Sequence, residues 1–470
     1  MYFKHIYEKG LAQASYFIGC QATGDAIVID PKRDIQEYLD LAEQEKMRIK
    51  YVTETHIHAD FLSGARELAA ATGAELLLSD EGGADWQYQF SHVPLKDKDT
   101  FKVGNLKFEV LHTPGHTPEH ISFLLTDTAA ASIPIMIFTG DFVFVGDIGR
   151  PDLLEKAAGV SGTKEEGART MFQSLKKFRA LPDHIQVWPG HGAGSACGKA
   201  LGAVPSSTVG YEKLVNWGLL IDDEEKFVKM LLDGQPEPPK YFAMMKKLNK
   251  TGPNVLGKLP EPVRLDERDF LSLSKAGVTI VDTRNKISFA GGHYPGSINI
   301  QDNSAFSTWA GWTLGYDEDF VLITSEERIE ELVKALVRIG LDNVKGYFCG
   351  LEKLNDHGIE LETMNQITVH DLYENINDYY IVDVRGESEY MNGAINEAEL
   401  NIHAGYMRSS LDKIPRDRKV VLHCAGGDRS SVAASIVLAN GFRNVYNLTG
   451  GINAWIQSGY PVVKKETELV

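Results

Sequence analysis

The sequence is poor in cysteine and has no long apolar run. Its four cysteines, Cys20, Cys197, Cys349 and Cys424, are scattered over 470 residues, a spacing that excludes the disulfide framework of a small secreted protein. Such usage favours a reducing environment, so we expect a cytoplasmic protein. No apolar run approaches the ~18 residues of a membrane-spanning helix, and we expect no membrane partner.

Positive charge is also scarce. Lysine and arginine number 48 against 65 aspartate and glutamate residues, which gives a formal net charge of −17. A nucleic acid or an anionic membrane surface would be repelled by a chain of this sign. We therefore expect small-molecule partners, with any anionic substrate held by local groups. Self-association into a homo-oligomer is left open.

The chain is long enough for several α/β domains. Its 470 residues exceed what one hydrophobic core usually organises, and they predict about three domains. Between residues 25 and 191, short apolar runs alternate with turns and helical stretches. A proline- and lysine-rich stretch from 235 to 260 interrupts this pattern and is typical of a linker.

An internal repeat follows the linker. The sequence VDTR at 281–284 recurs as VDVR at 382–385, and residues 339–344 recur at 440–445 with the same offset of 101 residues. A fixed offset of this kind indicates two copies of one structural unit. Each copy alternates apolar strands with helical segments, as a small parallel α/β domain does. We predict three domains, at 1–254, 255–365 and 366–470.

Histidine and aspartate side chains follow several strands of the first domain. The sequence THIHADF at 55–61 comes after one apolar run, and His112, Asp141 and His191 stand at the ends of three others. Sites in α/β proteins usually form just past strand ends. An isolated histidine is more often structural, but four such groups at successive strand ends favour a metal site.

These residues resemble the metal motif of the metallo-β-lactamase superfamily, HxHxDH followed by a distant His, Asp and His, over roughly residues 1 to 250. The resemblance implies an αββα sandwich. In the hydroxyacylglutathione hydrolases of this superfamily, the last His of the motif binds a second metal ion. Phe61 stands at that position here. Because a benzyl side chain has no lone pair, we expect a two-metal hydrolytic site to be lost.

The persulfide dioxygenases of the same superfamily hold a single iron through the first motif His, the distant His and the Asp. Carried over by resemblance, the ligands are His56, His112 and Asp141, and the cofactor is one Fe(II) per chain. Two imidazoles and one carboxylate are also the ligand set of non-haem Fe(II) oxygenases, which leave positions open for substrate and O₂.

Four further residues of this domain receive supporting roles. His58, Asp60 and His191 are expected to orient the ligands or to hydrogen-bond substrate and bound water. Cys197 lies in the glycine-rich loop after His191. There it is either a thiol at the mouth of the metal site or a small loop residue.

A second reactive group lies in the last domain. The sequence HCAGGDRS at 423–430 follows the apolar run 419–422 and precedes a helical segment. A cysteine just ahead of a helix N-terminus meets the positive end of the helix dipole and a set of backbone N–H donors, which favour its thiolate. The two glycines allow the backbone to close around the sulfur.

The Cys-x-x-Gly-x-Arg pattern resembles the loop of the rhodanese sulfurtransferases, and the resemblance covers about residues 367 to 467. It implies that Cys424 carries sulfur and that Arg429 is catalytic. Cysteine phosphatases are the main alternative, but they place five residues between Cys and Arg, whereas this loop has four. The rest of the loop consists of Ala425, Gly426, Gly427, Asp428 and Ser430.

The first copy of the repeat lacks these features. Thr324 stands where Cys424 stands in the second copy, and the loop to Arg328 is one residue shorter, acidic and without glycine. Such a loop cannot form the same anion cradle. We predict that residues 255–365 form a degenerate, inactive rhodanese domain with a structural or docking role.

As a whole, the chain resembles the bacterial fusions of a persulfide dioxygenase with rhodanese domains. The resemblance implies oxidation of RSSH by O₂ and water to RSH and sulfite, and sulfur transfer through Cys424 to give thiosulfate, or the reverse transfer. Glutathione, coenzyme A, bacillithiol and cysteine persulfides are all open as substrates. The alternatives are a zinc thioesterase of the hydroxyacylglutathione hydrolase type fused to a sulfurtransferase, and a non-catalytic sulfur carrier or sensor.

Overall fold

The computed structural model divides the chain into two units. One comprises Met1–Leu259 with Val337–Gly340, and the other comprises Pro260–Leu336 with Leu341–Val470. This division is coarser than the three domains expected from the sequence. The boundaries of those three domains stay predictions. The structure describes residues 1–153, 163–195, 197–198, 201–235 and 237–465.

Two six-stranded sheets form the first unit, and in each sheet the strands lie side by side in chain order. In the first sheet, β1 to β3 pair antiparallel across short turns, whereas β3 to β6 pair parallel across longer connections. The second sheet is antiparallel except for the parallel pair β10 and β11. The strands are β1 Tyr2–Glu8, β2 Gln13–Cys20, β3 Asp25–Ile29, β4 Arg48–Thr53, β5 Glu75–Ser79, β6 Val93–Leu95, β7 Thr100–Val103, β8 Leu106–His112, β9 Ile121–Asp127, β10 Met136–Gly140, β11 Gln186–Pro189 and β12 Ser207–Thr208.

Helices cover the outer faces of both sheets. Apolar side chains of α1 and α2 pack on the first sheet, and those of α3 and α5 pack on the second. Between the sheets, Tyr16 of β2 packs with Phe108 and Phe138. All of β2 is buried, because one of its faces meets the other sheet and the other face meets helices. The expected αββα sandwich is confirmed. The helices are α1 Gln36–Gln44, α2 Ala65–Thr72, α3 Thr163–Arg179, α4 Val209–Val215, α5 Glu224–Leu232 and α6 Phe242–Thr251.

Two parallel sheets form the second unit. Their orders are β14-β13-β15-β16 and β17-β21-β20-β18-β19. Read backwards, the second order contains the first, with β17 added at one edge, so the repeat in the sequence is also a repeat of strand order. The strands are β13 Thr279–Asp282, β14 Ile298–Asn299, β15 Phe320–Ile323, β16 Val344–Phe348, β17 Asn365–Ile367, β18 Tyr379–Asp383, β19 Ala398–Asn401, β20 Lys419–His423 and β21 Val445–Leu448.

The two copies also repeat a local contact at the strand end. After β13, Arg284 Nη2 lies 2.6 Å from Asp282 Oδ2, and after β18, Arg385 Nη2 lies 2.6 Å from Asp383 Oδ2. In each copy the same guanidinium also donates to a glycine carbonyl eight residues further on. The helices of this unit are α7 Glu267–Lys275, α8 Lys286–Gly291, α9 Phe306–Thr313, α10 Ile329–Val337, α11 Val369–Glu374, α12 Glu387–Asn392, α13 Asp428–Ala439 and α14 Gly451–Gln457.

None of the helices in the described part of the chain combines the length and the apolar content that crossing a membrane would require.

Candidate functional site

Three buried side chains that follow strand ends form a candidate metal centre. His56 follows β4, His116 follows β8 and Asp141 follows β10 directly. One potential ligand atom from each of these residues lies within 4.8 Å of the other two. His56 Nε2 is 3.9 Å and His116 Nε2 is 3.6 Å from Asp141 Oδ2. Two imidazoles and a carboxylate thus face one point inside the sandwich.

The prediction that His112 is the second histidine of this group is wrong; His116 takes that place. His112 is the last residue of β8, where it pairs with Ile121, and its Nε2 donates to Pro118 O at 2.8 Å. Its side chain remains 22% exposed. A residue inside the strand ladder cannot reach the group, whereas His116 lies beyond the strand, on the loop that turns back over its end.

A hydrogen-bond relay fixes the ring of His56. Thr55 Oγ1 donates its only hydrogen to Asp30 Oδ2 at 2.9 Å, so it can only accept from His56 Nδ1 at 3.0 Å. The proton of His56 is therefore on Nδ1, and the lone pair on Nε2 points toward Asp141. A carboxylate acting through a neighbour on the distal nitrogen is how proteins orient a metal-binding histidine.

The other two members of the group are fixed in a similar way. His116 Nδ1 lies 2.9 Å from Arg150 O, and because a carbonyl only accepts, this nitrogen is the donor and Nε2 has the lone pair. The backbone N–H of Asp141 donates to His120 Nε2 at 3.2 Å. His120 therefore holds the main chain of a potential ligand.

The electrostatics of the group suit a cation. Burial and the neighbouring imidazoles of His58 and His116 lower the pKa of His56 well below its ordinary value, and burial lowers the pKa of His116. Both rings are thus kept neutral, which is the metal-binding form. Among the described residues, neither His56 Nε2 nor Asp141 Oδ2 has a hydrogen-bond partner. Because an uncompensated buried carboxylate is costly, a metal ion fits this group.

A second buried group adjoins the first. Asp60, His191 and Cys197 also bring one potential ligand atom each within 4.8 Å. His191 Nε2 is 3.2 Å from Asp60 Oδ2 and 3.4 Å from Asp141 Oδ1, and its Nδ1 donates to the carbonyl of residue 12 at 3.2 Å. Burial, with the charges of Asp141 and Asp60, raises the pKa of the Cys197 thiol well above its ordinary value. Cys197 therefore lies against the acidic side of the site as a thiol.

His58 and Phe61 line the wall beside this centre. His58 Nε2 lies 3.1 Å from Asp30 Oδ1. Burial lowers the pKa of His58, but Asp30, with Glu54 and Asp60, outweighs burial and raises the pKa to about 9. The ring of Phe61 packs on His58 with centroids 4.3 Å apart and is 1% exposed. An apolar ring thus fills the wall where a further ligand could have stood.

The loop around Cys424 forms the second candidate site. It connects β20 to the twelve-residue helix α13. Gly427 N donates to Cys424 Sγ at 3.1 Å and Ser430 Oγ lies 3.5 Å from the same sulfur. Gly427 adopts φ +98°, a conformation that favours glycine. The sulfur is therefore held by hydrogen-bond donors at the start of a helix.

A neighbouring turn closes tightly on this loop. A Cβ at Gly451 would lie 2.3 Å from Cys424 O and 2.6 Å from Ala425 O, so glycine is required there. The N–H of the next residue, Ile452, donates to Cys424 O at 2.8 Å. The carbonyls of Cys424 and Ala425 thus point to this turn, while the N–H of Gly427 faces the sulfur.

Glu389 orients the arginine of the loop. The Arg429 guanidinium makes two hydrogen bonds to it, at 2.6 and 2.9 Å. Burial raises the pKa of Glu389, but the guanidinium outweighs burial and holds that pKa below its ordinary value. A bidentate pair of this kind fixes the plane of the arginine.

The first copy of the repeat places different groups at the same strand end. Thr324 follows β15, and its carbonyl accepts from Cys349 Sγ at 3.0 Å. Arg328 is held by two hydrogen bonds to Asp302, at 2.6 and 2.9 Å. A hydroxyl stands where Cys424 has its thiol, and the arginine pairs with an acid that follows β14, whereas Arg429 pairs with Glu389 on α12.

Comparisons with known proteins agree with this architecture. The metallo-beta-lactamase superfamily model matches residues 9–191, and the rhodanese-like domain model matches residues 368–458. The crystal structure of a metallo-beta-lactamase from Staphylococcus aureus subsp. aureus COL is 45% identical, with a TM-score of 0.70; the match covers 74% of this chain and 99% of that one. The chain belongs to the metallo-β-lactamase superfamily. It carries a C-terminal rhodanese domain in addition.

Several kinds of curated relative match this chain. A hydroxyacylglutathione hydrolase of Rhodospirillum rubrum is 33% identical over 37% of this chain and 60% of its own length. A mitochondrial persulfide dioxygenase of Bos taurus is 27% identical over 48% of this chain and 79% of its own length. The chain spans 61% and 58% of two beta-lactamase hydrolase-like proteins of Xylella fastidiosa. Similarity of this degree does not distinguish the two activities.

The sequence predicts most residues of the candidate metal centre but not the groups that support them. It placed His56, Asp141 and the loop of Cys424 at strand ends, and the structure puts them there. It did not assign roles to Thr55 or Arg150, whose atoms orient the histidine rings. A signal for His116 was present, because it lies past the strand in the segment LHTPGH whereas the histidine four residues earlier belongs to the apolar run itself.

Proposed function

We propose that the metallo-β-lactamase domain binds one Fe(II) through His56, His116 and Asp141 and oxidises a low-molecular-weight persulfide. The reaction is RSSH + O₂ + H₂O to RSH, sulfite and two protons. The observation that carries the proposal is the two-histidine, one-carboxylate group with Phe61 at the position where hydrolytic relatives bind a second metal. This ligand set is typical of non-haem Fe(II) oxygenases.

The chain supplies geometry and exclusion of water. Bound iron supplies the redox chemistry that O₂ requires. The relay from Asp30 through Thr55 keeps the His56 lone pair on the side of the metal, and the carbonyl of Arg150 does so for His116. Phe61 and the burial of the three ligands keep bulk water from the centre, which protects a reactive persulfide from side reactions.

The rhodanese domain is proposed to transfer sulfur through Cys424. Its thiolate attacks the outer sulfur of RSSH, the S–S bond breaks, and the thiol RSH leaves with the proton. Sulfite then attacks the outer sulfur of the Cys424 persulfide, so that thiosulfate forms and the thiolate returns. Gly427 N and Ser430 Oγ lie at the sulfur, where they can stabilise the anion in both steps.

The middle copy of the repeat is proposed to be a degenerate rhodanese domain without transferase activity. It has no thiol at the end of β15, since Thr324 stands there. Its arginine is engaged by Asp302, whereas Arg429 of the other copy is engaged by Glu389 on α12. Its contribution is then structural, or it acts on the site of its neighbour.

Zinc-dependent thioester hydrolysis is the second candidate. The buried group of Asp60, His191 and Cys197 favours it, because these residues could hold a second metal ion beside Asp141. Phe61 disfavours it, because the histidine that binds the second metal ion in the hydrolytic relatives is missing at this position. The identity and number of bound metal ions separate the two proposals.

Product analysis tests the proposed division of labour in the full-length chain. Cys424→Ser should keep O₂ uptake while sulfite accumulates in place of thiosulfate, because a hydroxyl is a poor sulfur acceptor. His116→Ala should abolish O₂ uptake yet still form thiosulfate from added persulfide and sulfite. Thiol-trapping chromatography with a no-enzyme control measures both. Wild-type thiosulfate yields from Cys424→Ser would refute the role of this cysteine.

Glutathione, coenzyme A, bacillithiol and cysteine persulfides are the substrates to compare.

A further inference from the structure

A lysine of the middle copy contacts the Cys424 loop. Lys286, the first residue of α8, places its Nζ 3.2 Å from Gly426 O and 2.9 Å from Asp428 Oδ1. Gln301 joins the same contact, because its Oε1 accepts from Lys286 N at 2.8 Å and its Nε2 lies 3.3 Å from Asp428 Oδ1. All of these residues belong to one of the two structural units.

The contact bears directly on the sulfur through a single peptide group. Gly426 O, which accepts from Lys286, and Gly427 N, which donates to Cys424 Sγ at 3.1 Å, are the two ends of one peptide. In a planar trans peptide these ends point in opposite directions. An ammonium at the oxygen therefore orients the N–H toward the sulfur, and it polarises that N–H as a donor. Glycine on both sides leaves this peptide otherwise free to rotate.

The same lysine balances an acid in the loop. Asp428 lies at the start of α13, and its carboxylate would repel an anionic sulfur compound that approaches Cys424. The Lys286 and Asp428 side chains are 27% and 59% exposed. An ion pair as exposed as this contributes little to folding stability. Its consequence should therefore be found in the chemistry of the loop rather than in the stability of the fold.

We propose that Lys286 is a positioning and charge-selecting residue for sulfur transfer at Cys424, supplied by the copy that has Thr324 at the position of that cysteine. It holds the Gly426–Gly427 peptide with its N–H on the sulfur, and it favours anionic partners such as thiosulfate and sulfite over neutral ones. This inference rests on the proposed function of Cys424 as a sulfur carrier. It gives the middle copy a role in the reaction without a catalytic residue.

Alkylation of Cys424 in the full-length protein tests the charge. Iodoacetate is anionic and iodoacetamide is neutral, and mass spectrometry of the Cys424 peptide gives the rate for each reagent. Lys286→Met keeps most of the stem but removes the charge. We expect the ratio of the iodoacetate rate to the iodoacetamide rate to fall by about three- to fivefold, in line with one partly exposed charge pair, and to recover in Lys286→Arg. Lys334→Met is the matched control, because Lys334 is similarly exposed and pairs with Glu330 within its own helix.

Steady-state transfer from thiosulfate to cyanide supplies the second readout. Lys286→Met should raise KM for thiosulfate more than it lowers kcat, while Lys334→Met should leave both unchanged. An unchanged alkylation ratio in Lys286→Met, or an equal change in Lys334→Met, would overturn the proposal. Absence of turnover in the wild type would instead refute the proposed transferase function. The alkylation ratio would still test the role of Lys286, because alkylation requires no turnover.

Discussion

The relay that orients His56 predicts a defined loss of metal affinity. Thr55→Val replaces a buried hydroxyl by a methyl group of similar size. It leaves His56 Nδ1 without its acceptor at 3.0 Å and Asp30 Oδ2 without its donor at 2.9 Å. Removing a group that supports a metal ligand typically costs about 10- to 100-fold in metal affinity, or about 1.4–2.7 kcal/mol.

Anaerobic competition between the protein and a chromophoric Fe(II) chelator measures this affinity. Thr53→Val is the matched control, because Thr53 is equally buried and its Oγ1 donates to Leu77 O at 2.5 Å rather than to a ligand. We expect the control to lose about 1 kcal/mol of stability and no iron affinity, and Thr55→Ser to bind iron nearly as the wild type does. Equal iron affinity in Thr55→Val and Thr53→Val would refute the relay.

Three further predictions concern other residues. His116→Ala should lose the metal while His112→Ala keeps it, as elemental analysis of both variants would measure; equal loss would contradict the ligand set. Phe61→His should raise the zinc bound after reconstitution from about one ion per chain toward two, because an imidazole returns to the second metal position, and an unchanged content would show that Phe61 is not what limits it. Cys424→Ser should abolish thiosulfate-to-cyanide transfer by the whole chain, and residual turnover would mean that the copy with Thr324 is active.

Much of the fold follows from local patterns in the sequence. The apolar runs that end in histidine or aspartate form strands. Because both faces of a strand such as β2 are buried, helices must cover the outer face of its sheet. The repeat at an offset of 101 residues was readable because each copy builds the same local contact, in which Arg284 pairs with Asp282 and Arg385 with Asp383. Interactions between residues two apart are encoded in short motifs.

The candidate site was predicted less completely, because its supports come from distant parts of the chain. The sequence analysis took His112, although the apolar run of β8 includes that residue and stops before His116. The contacts of Glu389 with Arg429 and of Lys286 with Asp428 join residues 40 and 142 positions apart. No local pattern marks such pairs, so only the packed structure reveals them.

Metal content and O₂ uptake of the anaerobically purified, full-length protein test whether the first domain is a persulfide dioxygenase with a single iron. Elemental analysis gives the identity and number of metal ions, and an oxygen electrode gives uptake with glutathione, coenzyme A, bacillithiol and cysteine persulfides. We predict about one iron per chain and consumption of one O₂ for each sulfite formed from at least one of these persulfides. Two zinc ions per chain, with hydrolysis of a glutathione thioester and no O₂ uptake, would contradict it.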